Sequence, residues 1–179
     1  VIFRSEPEST GKAGSNFPLW QEQQNVIGPW DVSFDPQWGG PDKPVRFDRL
    51  SSWTKHGDPG IKYYSGKAVY RTTFELGKVT AAESLALELG SVKDVGIARV
   101  TLNGQDLGVL WRAPFRIDIS KAAQPGENLL EIMVVNSWHN RVMGDEALPQ
   151  DKRFTQTNIR VVKKGRFKWT LEESGLLGP

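Results

Sequence analysis

Cysteine is absent from this 179-residue chain, and histidine and methionine occur only twice each. Without cysteine there can be no disulfide, thiolate zinc site, redox dithiol or cysteine nucleophile, and the redox compartment stays open. A surplus of one charge is also lacking. The 23 Lys and Arg stand against 21 Asp and Glu, a net charge of +2, which leaves no nucleic-acid footprint. The one basic cluster, Lys163, Lys164, Arg166 and Lys168, reads as a solvated strand end or loop. No stretch approaches the ~20 apolar residues of a membrane span, and no signal peptide is seen. The chain opens on Val1 rather than Met, which reads as a piece of a longer precursor with any export signal upstream.

Catalytic motifs are missing as well. There is no G-x-S-x-G elbow, P-loop or H-E-x-x-H. His56 and His139 have no zinc-like partners nearby in sequence. A glycosidase needs two carboxylates facing each other across ~5–10 Å. Asp145 and Glu146 are adjacent, and neighbours on an extended chain point apart. No catalytic residue is therefore assigned.

What is present has a period of two. Ala68, Tyr70, Thr72 and Phe74 share one face of Lys67–Glu75, with Arg71, Thr73 and Glu75 on the other. Leu85, Leu87 and Leu89 alternate with Ala86 and Glu88, and Ala98, Val100 and Leu102 with Arg99, Thr101 and Asn103. Phe115, Ile117 and Ile119, and then Leu130, Ile132 and Val134, follow the same rule. Asn103-Gly104 between two apolar runs is a strong hairpin signal, because both residues tolerate positive φ. Pro125-Gly126 turns the chain before the Glu127–Val135 strand. The only helical pieces expected are short, at Val79–Glu83 and Ser120–Ala123. About eight to ten antiparallel strands with tight turns predict an all-β sandwich or barrel. The long amphipathic helices of a doubly wound fold are missing. Glu6–Asn16 is polar, with Gly and Ser but no apolar period, so residues 1–27 read as a linker or surface-lying N-terminal segment and 28–179 as the domain.

The order Tyr70-Arg71-Thr72-Thr73-Phe74, Leu87-Glu88-Leu89-Gly90, Ala98–Gly104, Leu107-Gly108, Pro114–Ile119 and Pro125–Asn128 resembles the sugar-binding-like jelly-roll domain of glycoside hydrolase family 2. Four flanking segments narrow the likeness: Gly28–Pro36 with Gly39-Gly40-Pro41; Trp53-Thr54 followed by Ile61–Gly66; Asn136–Arg141 with Gly144-Asp145-Glu146; and the ending Ser174–Pro179. Together they resemble the C-terminal galactose-binding-like β-domain of the α-L-rhamnosidases of glycoside hydrolase family 106. The resemblance covers residues 28–179. It implies a jelly-roll β-sandwich that accompanies a separate catalytic barrel, a secreted or periplasmic setting, and no catalytic residue in this chain.

Seven tryptophans are many for one small domain. Sugars present C–H faces that pack on aromatic rings, and their hydroxyls need polar partners at the edge. Trp30, opening a strand, reads as core. Three other places read as carbohydrate-binding candidates. The segment Asn136–Glu146 clusters Trp138, His139, Asn140 and Arg141 at a strand end, where Arg141 offers a fork to vicinal hydroxyls or a uronate, or pairs with Asp145 or Glu146 and pins the loop. The loop Trp53–Ser65 offers Trp53, His56, Tyr63 and Tyr64, or is an ordinary connection with Tyr64 in the core. Trp111 and Arg112 are expected on opposite faces, one free for a ligand and the other buried or paired. A structural calcium ion is a candidate too, with Asp35, Asp42, Asp48, Asp58, Asp94, Asp145 and Glu146 as oxygen donors but no EF-hand-like spacing.

The leading expectation is a non-catalytic carbohydrate-binding module for plant or microbial polysaccharide, pectic and rhamnose-containing, held beside a parent catalytic domain. The alternative is a buttress that packs on that domain without sugar affinity of its own, marked by an apolar patch around Trp111, Trp138 and Tyr63. A self-contained hydrolase or lyase is the third and weakest reading. No nucleic-acid or membrane partner is expected.

Overall fold

The computed structural model describes residues 20–78, 84–159 and 169–178. The expected helical piece at 79–83, the basic cluster at 163–168 and the linker stretch at 6–16 lie outside them.

Ten strands form among the described residues. They are β1 (Trp30–Ser33), β2 (Val45–Phe47), β3 (Lys67–Leu76), β4 (Ala86–Glu88), β5 (Ser91–Lys93), β6 (Ile97–Leu102), β7 (Gln105–Leu110), β8 (Arg116–Asp118), β9 (Gly126–Val135) and β10 (Gly175–Gly178). Six make one antiparallel sheet in the order β2-β1-β3-β9-β6-β7; β5 pairs with β10 and β4 with β8, both antiparallel. The fold is an all-β sandwich.

The spine is β3 against β9, paired from Lys67↔Val135 to Leu76↔Gly126. Alternation puts Ala68, Tyr70, Leu130, Ile132 and Val134 on one face, joined by Ala98, Val100 and Leu102 of β6, and all are buried. Leu85, Leu87, Leu89, Val92, Phe115, Ile117, Ile119 and Leu176 complete the same core from the short pairs. Asn103 (φ 51°) and Gly104 (φ 78°) close the hairpin between β6 and β7, so that turn signal was read correctly.

One end of the core is aromatic. Phe34 meets Tyr64 and Trp53 edge-on at centroid distances of 4.9 and 5.5 Å. Trp30 is buried beside Tyr70, as its place at a strand start predicted.

The helical expectations need correction. Ser120–Ala123 is only a turn, in which the amides of Ala122 and Ala123 both donate to the Ile119 carbonyl. Two short helices form where loops were expected: α1 (Pro59–Lys62) and α2 (His139–Asp145). For α1 the signal was present, since Asp58 caps the Gly60 amide at 2.7 Å and Pro59 opens the first turn. For α2 it was weak. A seven-residue helix with a glycine inside it has poor intrinsic helicity, and burial of Asn140, Arg141, Val142 and Asp145 stabilises it instead.

Candidate functional site

The register shows which loops meet. β9 ends at Val135, opposite Lys67 at the start of β3 and Ile97 at the start of β6. Leu110, the last residue of β7, lies opposite Ala98. β1 finishes nearby, with Ser33 opposite Val69. The connections after β1, before β3, between β5 and β6, after β7 and after β9 therefore gather at one end of the large sheet. All three candidate segments lie there, although sequence separates them by tens of residues.

At this end Trp138 and Trp111 are 67% and 69% exposed. Trp111 follows Leu110 directly, and Trp138 comes three residues after Val135; β6 runs between their strands. The two strand ends are thus two strand spacings apart, roughly 10 Å.

Trp138 stands on a fixed base. The Ser137 amide and hydroxyl both donate to Asp94 Oδ2, at 2.8 and 2.6 Å. Asn136 accepts from the Gly66 amide at 2.8 Å and donates to the Tyr64 carbonyl at 2.9 Å, clipping the end of β9 to the start of β3. His139 stacks on Trp169 at 4.9 Å.

Several expected sugar contacts are inside the protein. Trp53 and Tyr64 have no exposed surface, which corrects their assignment as stacking platforms. Trp53 donates its indole N–H to the Tyr70 hydroxyl, and the Tyr64 hydroxyl donates to the Lys67 carbonyl. Desolvation of its phenol pushes the Tyr64 pKa up. Asn140 is likewise sealed: its amide nitrogen donates to the Glu172 carbonyl and Ser174 hydroxyl, and its oxygen accepts from the Glu172 amide. A ligand at the surface reaches none of these three.

Arg141 takes the structural role weighed against sugar binding: its Nε donates to Asp145 Oδ1 at 3.1 Å, with both side chains buried. Burial pulls the guanidinium pKa down, and the charge of Asp145 and its hydrogen bond oppose that. His56 and Tyr63 are half-buried, His56 stacking on Phe47 at 5.5 Å and accepting from the Asp58 amide. Trp111 and Arg112 are both exposed, which corrects the expectation that one of them is buried or paired; the chain leaves the sheet after Leu110, so strand alternation no longer orients them.

Sequence reasoning missed Trp38 and Phe154, which are 42% and 37% exposed. Phe154 lies over the Arg141 guanidinium at 4.7 Å. Neither residue carries a local motif; Gly39, next to Trp38 in the chain, packs against both Phe154 and Arg141.

Among the described residues, no three or more His, Asp or Glu side chains converge as metal ligands. Asp35, Asp58, Asp94 and Asp145 are engaged instead with Gln37, Gly60, Ser137 and Thr155. Among the same residues no helix is long and apolar enough to cross a membrane.

No family model matches the chain. A putative β-glucuronidase of Formosa agariphila is 48% identical over 128 residues, 70% of this chain and 11% of that protein. A solved rhamnosidase structure from Novosphingobium sp. PP1Y superposes with a TM-score of 0.74 and 36% identity, over 94% of this chain and 16% of that one. A β-glucuronidase of Ruminococcus gnavus superposes with a TM-score of 0.54 and 27% identity, over 67% of this chain and 23% of that one. The class these likenesses define is a β-sandwich domain associated with glycoside hydrolases. The chain spans only 11–23% of the lengths of these relatives.

Proposed function

We propose that this chain is a non-catalytic carbohydrate-binding module, of the galactose-binding-like type, within a larger rhamnosidase-like hydrolase of family 106. The observation that carries this reading is the pair Trp111 and Trp138, highly exposed at the same end of a rigid sandwich. Two exposed indole faces, one of them next to Arg112 in the chain, offer stacking for sugar C–H surfaces and donors for hydroxyls. With about two-thirds of their surface exposed, they suit weak capture of a polymer rather than tight capture of a small molecule. The ligand is a plant or microbial polysaccharide, pectic and rhamnose-bearing, and the setting is secreted or periplasmic. The parent enzyme's barrel supplies catalysis.

Affinity electrophoresis and calorimetry test this against rhamnogalacturonan, homogalacturonan, arabinan, galactan and xylan, with and without chelator. Retardation by one polymer, lost in folded Trp111→Ala or Trp138→Ala, is the expected result. Silence across the panel from a folded sample overturns it.

One observation favours the buttress as a second reading. The outer face of the large sheet carries half-buried Val69, Met133, Ile97 and Val135 side by side, with exposed Val109 beyond Arg99. Large apolar patches mark interaction surfaces. In that case a Val109→Glu substitution weakens association with the parent catalytic domain and leaves polymer binding untouched.

A further inference from the structure

The chain upstream of β1 is clipped alongside the far end of β3. Gln24 Nε2 donates to the Glu75 carbonyl at 2.9 Å, and the Thr72 hydroxyl donates to the Pro29 carbonyl at 2.8 Å. Val26, between the two clips in sequence, packs on the core. An open groove of about 340 Å³ remains between residues 24–28 on one side and residues 73–75 on the other. That volume lies at the lower end of the range for small-ligand sites, ~300–1,000 Å³. The walls are reachable from solvent: Gln24, Asn25, Thr73 and Glu75 are exposed, and Ile27 is 71% exposed. Trp111 and Trp138 stand at the other end of the sheet, where β3 begins at Lys67. Glu75 lies eight residues along the strand from Lys67, roughly 26 Å away.

Hydrogen bonds within the segment fix which atoms are left for a ligand. The Gln24 amide nitrogen faces the Glu75 carbonyl, and the Asn25 amide nitrogen donates to Glu22 Oε1 at 2.8 Å. A carbonyl and a carboxylate accept, so both nitrogens must point there and the amide oxygens take no part in these contacts. Among the described residues nothing donates to either amide oxygen, and the side chains of Thr73 and Glu75 have no polar partner. The walls therefore offer mostly acceptors, namely two amide oxygens, a carboxylate and a hydroxyl, beside the aliphatic side chains of Val26 and Ile27. Such a surface fits a ligand that brings several O–H donors and a C–H face, as a sugar ring does.

Charge narrows the sugar. Glu127 lies directly opposite Glu75 in the register of β3 and β9, and among the described residues neither carboxylate is paired with a cation. Like charges in opposed positions already repel, and a uronate in the groove would add a third. We propose that this groove binds a neutral sugar residue, whose hydroxyls donate to Glu75, Thr73 and the amide oxygens of Gln24 and Asn25 while Ile27 meets the ring. The class of ligand rests on the glycan-binding reading. The groove adds to it a second contact, at the opposite end of β3, that selects neutral residues of a polymer against its uronates.

The unaltered chain carries the primary readout. The backbone amides of Thr73 and Glu75 are followed by ¹⁵N–¹H NMR together with the indole N–H of Trp30. That N–H is buried without a partner among the described residues, and a Cβ on Gly28, in the groove wall, would stand 2.9 Å from its nitrogen. Titrants are the methyl glycosides of rhamnose, arabinose and galactose, and methyl galacturonoside as its sodium salt, which differs from the galactoside only at C6. The expected result is a saturable shift of all three signals with at least one neutral glycoside, and at least fivefold weaker binding of the uronate. Thr73→Val and Glu75→Gln alter exposed side chains, so both should keep the thermal midpoint and weaken the neutral glycoside at least fivefold. Signals that ignore every neutral glycoside, a uronate bound as tightly as the galactoside, or two folded variants that bind as the unaltered chain does each overturn the proposal. Polymer retardation that depends on Trp138 while the groove signals stay silent sinks this contact alone. A groove response without any polymer retardation sinks the Trp111–Trp138 reading alone.

Discussion

The indole nitrogen of Trp53 donates to the hydroxyl of Tyr70 at 2.5 Å, and the Leu176 amide donates to the same oxygen at 3.1 Å. One buried phenol thus joins the loop before β3, the centre of the large sheet and the closing strand β10. Tyr70→Phe keeps the ring but strands two buried donors. Unmet buried donors cost about 1–3 kcal/mol each, so the variant should lose about 2–6 kcal/mol. Urea unfolding should show a lower midpoint at an unchanged slope.

Trp53 and Trp138 separate core from surface. Trp53→Ala empties a sealed site and should destabilise the fold by about 3–5 kcal/mol. Trp138→Ala should change stability by less than about 0.5 kcal/mol while polymer binding is lost. Thermal unfolding beside affinity electrophoresis checks both halves.

Asp145 holds Arg141 on one oxygen and Thr155 on the other. Asp145→Ala leaves a buried guanidinium without its anion and should cost about 3–5 kcal/mol. The double variant Asp145→Ala/Arg141→Met should recover most of that, because no charge is then buried. Urea unfolding of the three variants forms the cycle, and a double variant no better than the single one contradicts this account.

Burial raises the pKa of both Tyr64 and Tyr70, desolvation being the largest cause in each. A group whose folded pKa is raised contributes stability that is complete below its unfolded value and is lost as pH climbs towards the folded one. Stability should therefore hold up to the ordinary tyrosine range near ~10 and fall above it. In a titration followed at 295 nm, the ionisation of these two residues should coincide with loss of near-ultraviolet circular dichroism.

The strand pattern was legible because it is local. Period-two alternation in Lys67–Glu75 and Ile97–Asn103 states which side chains face inward, and β3 and β6 obey it. Asn103-Gly104 was legible for the same reason: two residues that accept positive φ fix a turn wherever they stand. Loop residues were harder to place. Trp53, Tyr64 and Asn140 sit between strands, where no period says which way a side chain points, and all three are buried. Trp111 and Trp138, with the same composition around them, stand free.

By itself the sequence determined the class of fold, the hairpin between β6 and β7, and the absence of any cysteine chemistry, since each follows from residue type and short-range spacing. The tertiary structure alone decided which loop aromatics reach solvent. Burial of a loop side chain depends on what lies across the sandwich, as Leu176 and Tyr70 do for Trp53. It decided, too, that Tyr63, Arg141 and Phe154 meet, because close backbone approach at Gly39 and Gly144 gathers segments that spacing along the chain holds apart.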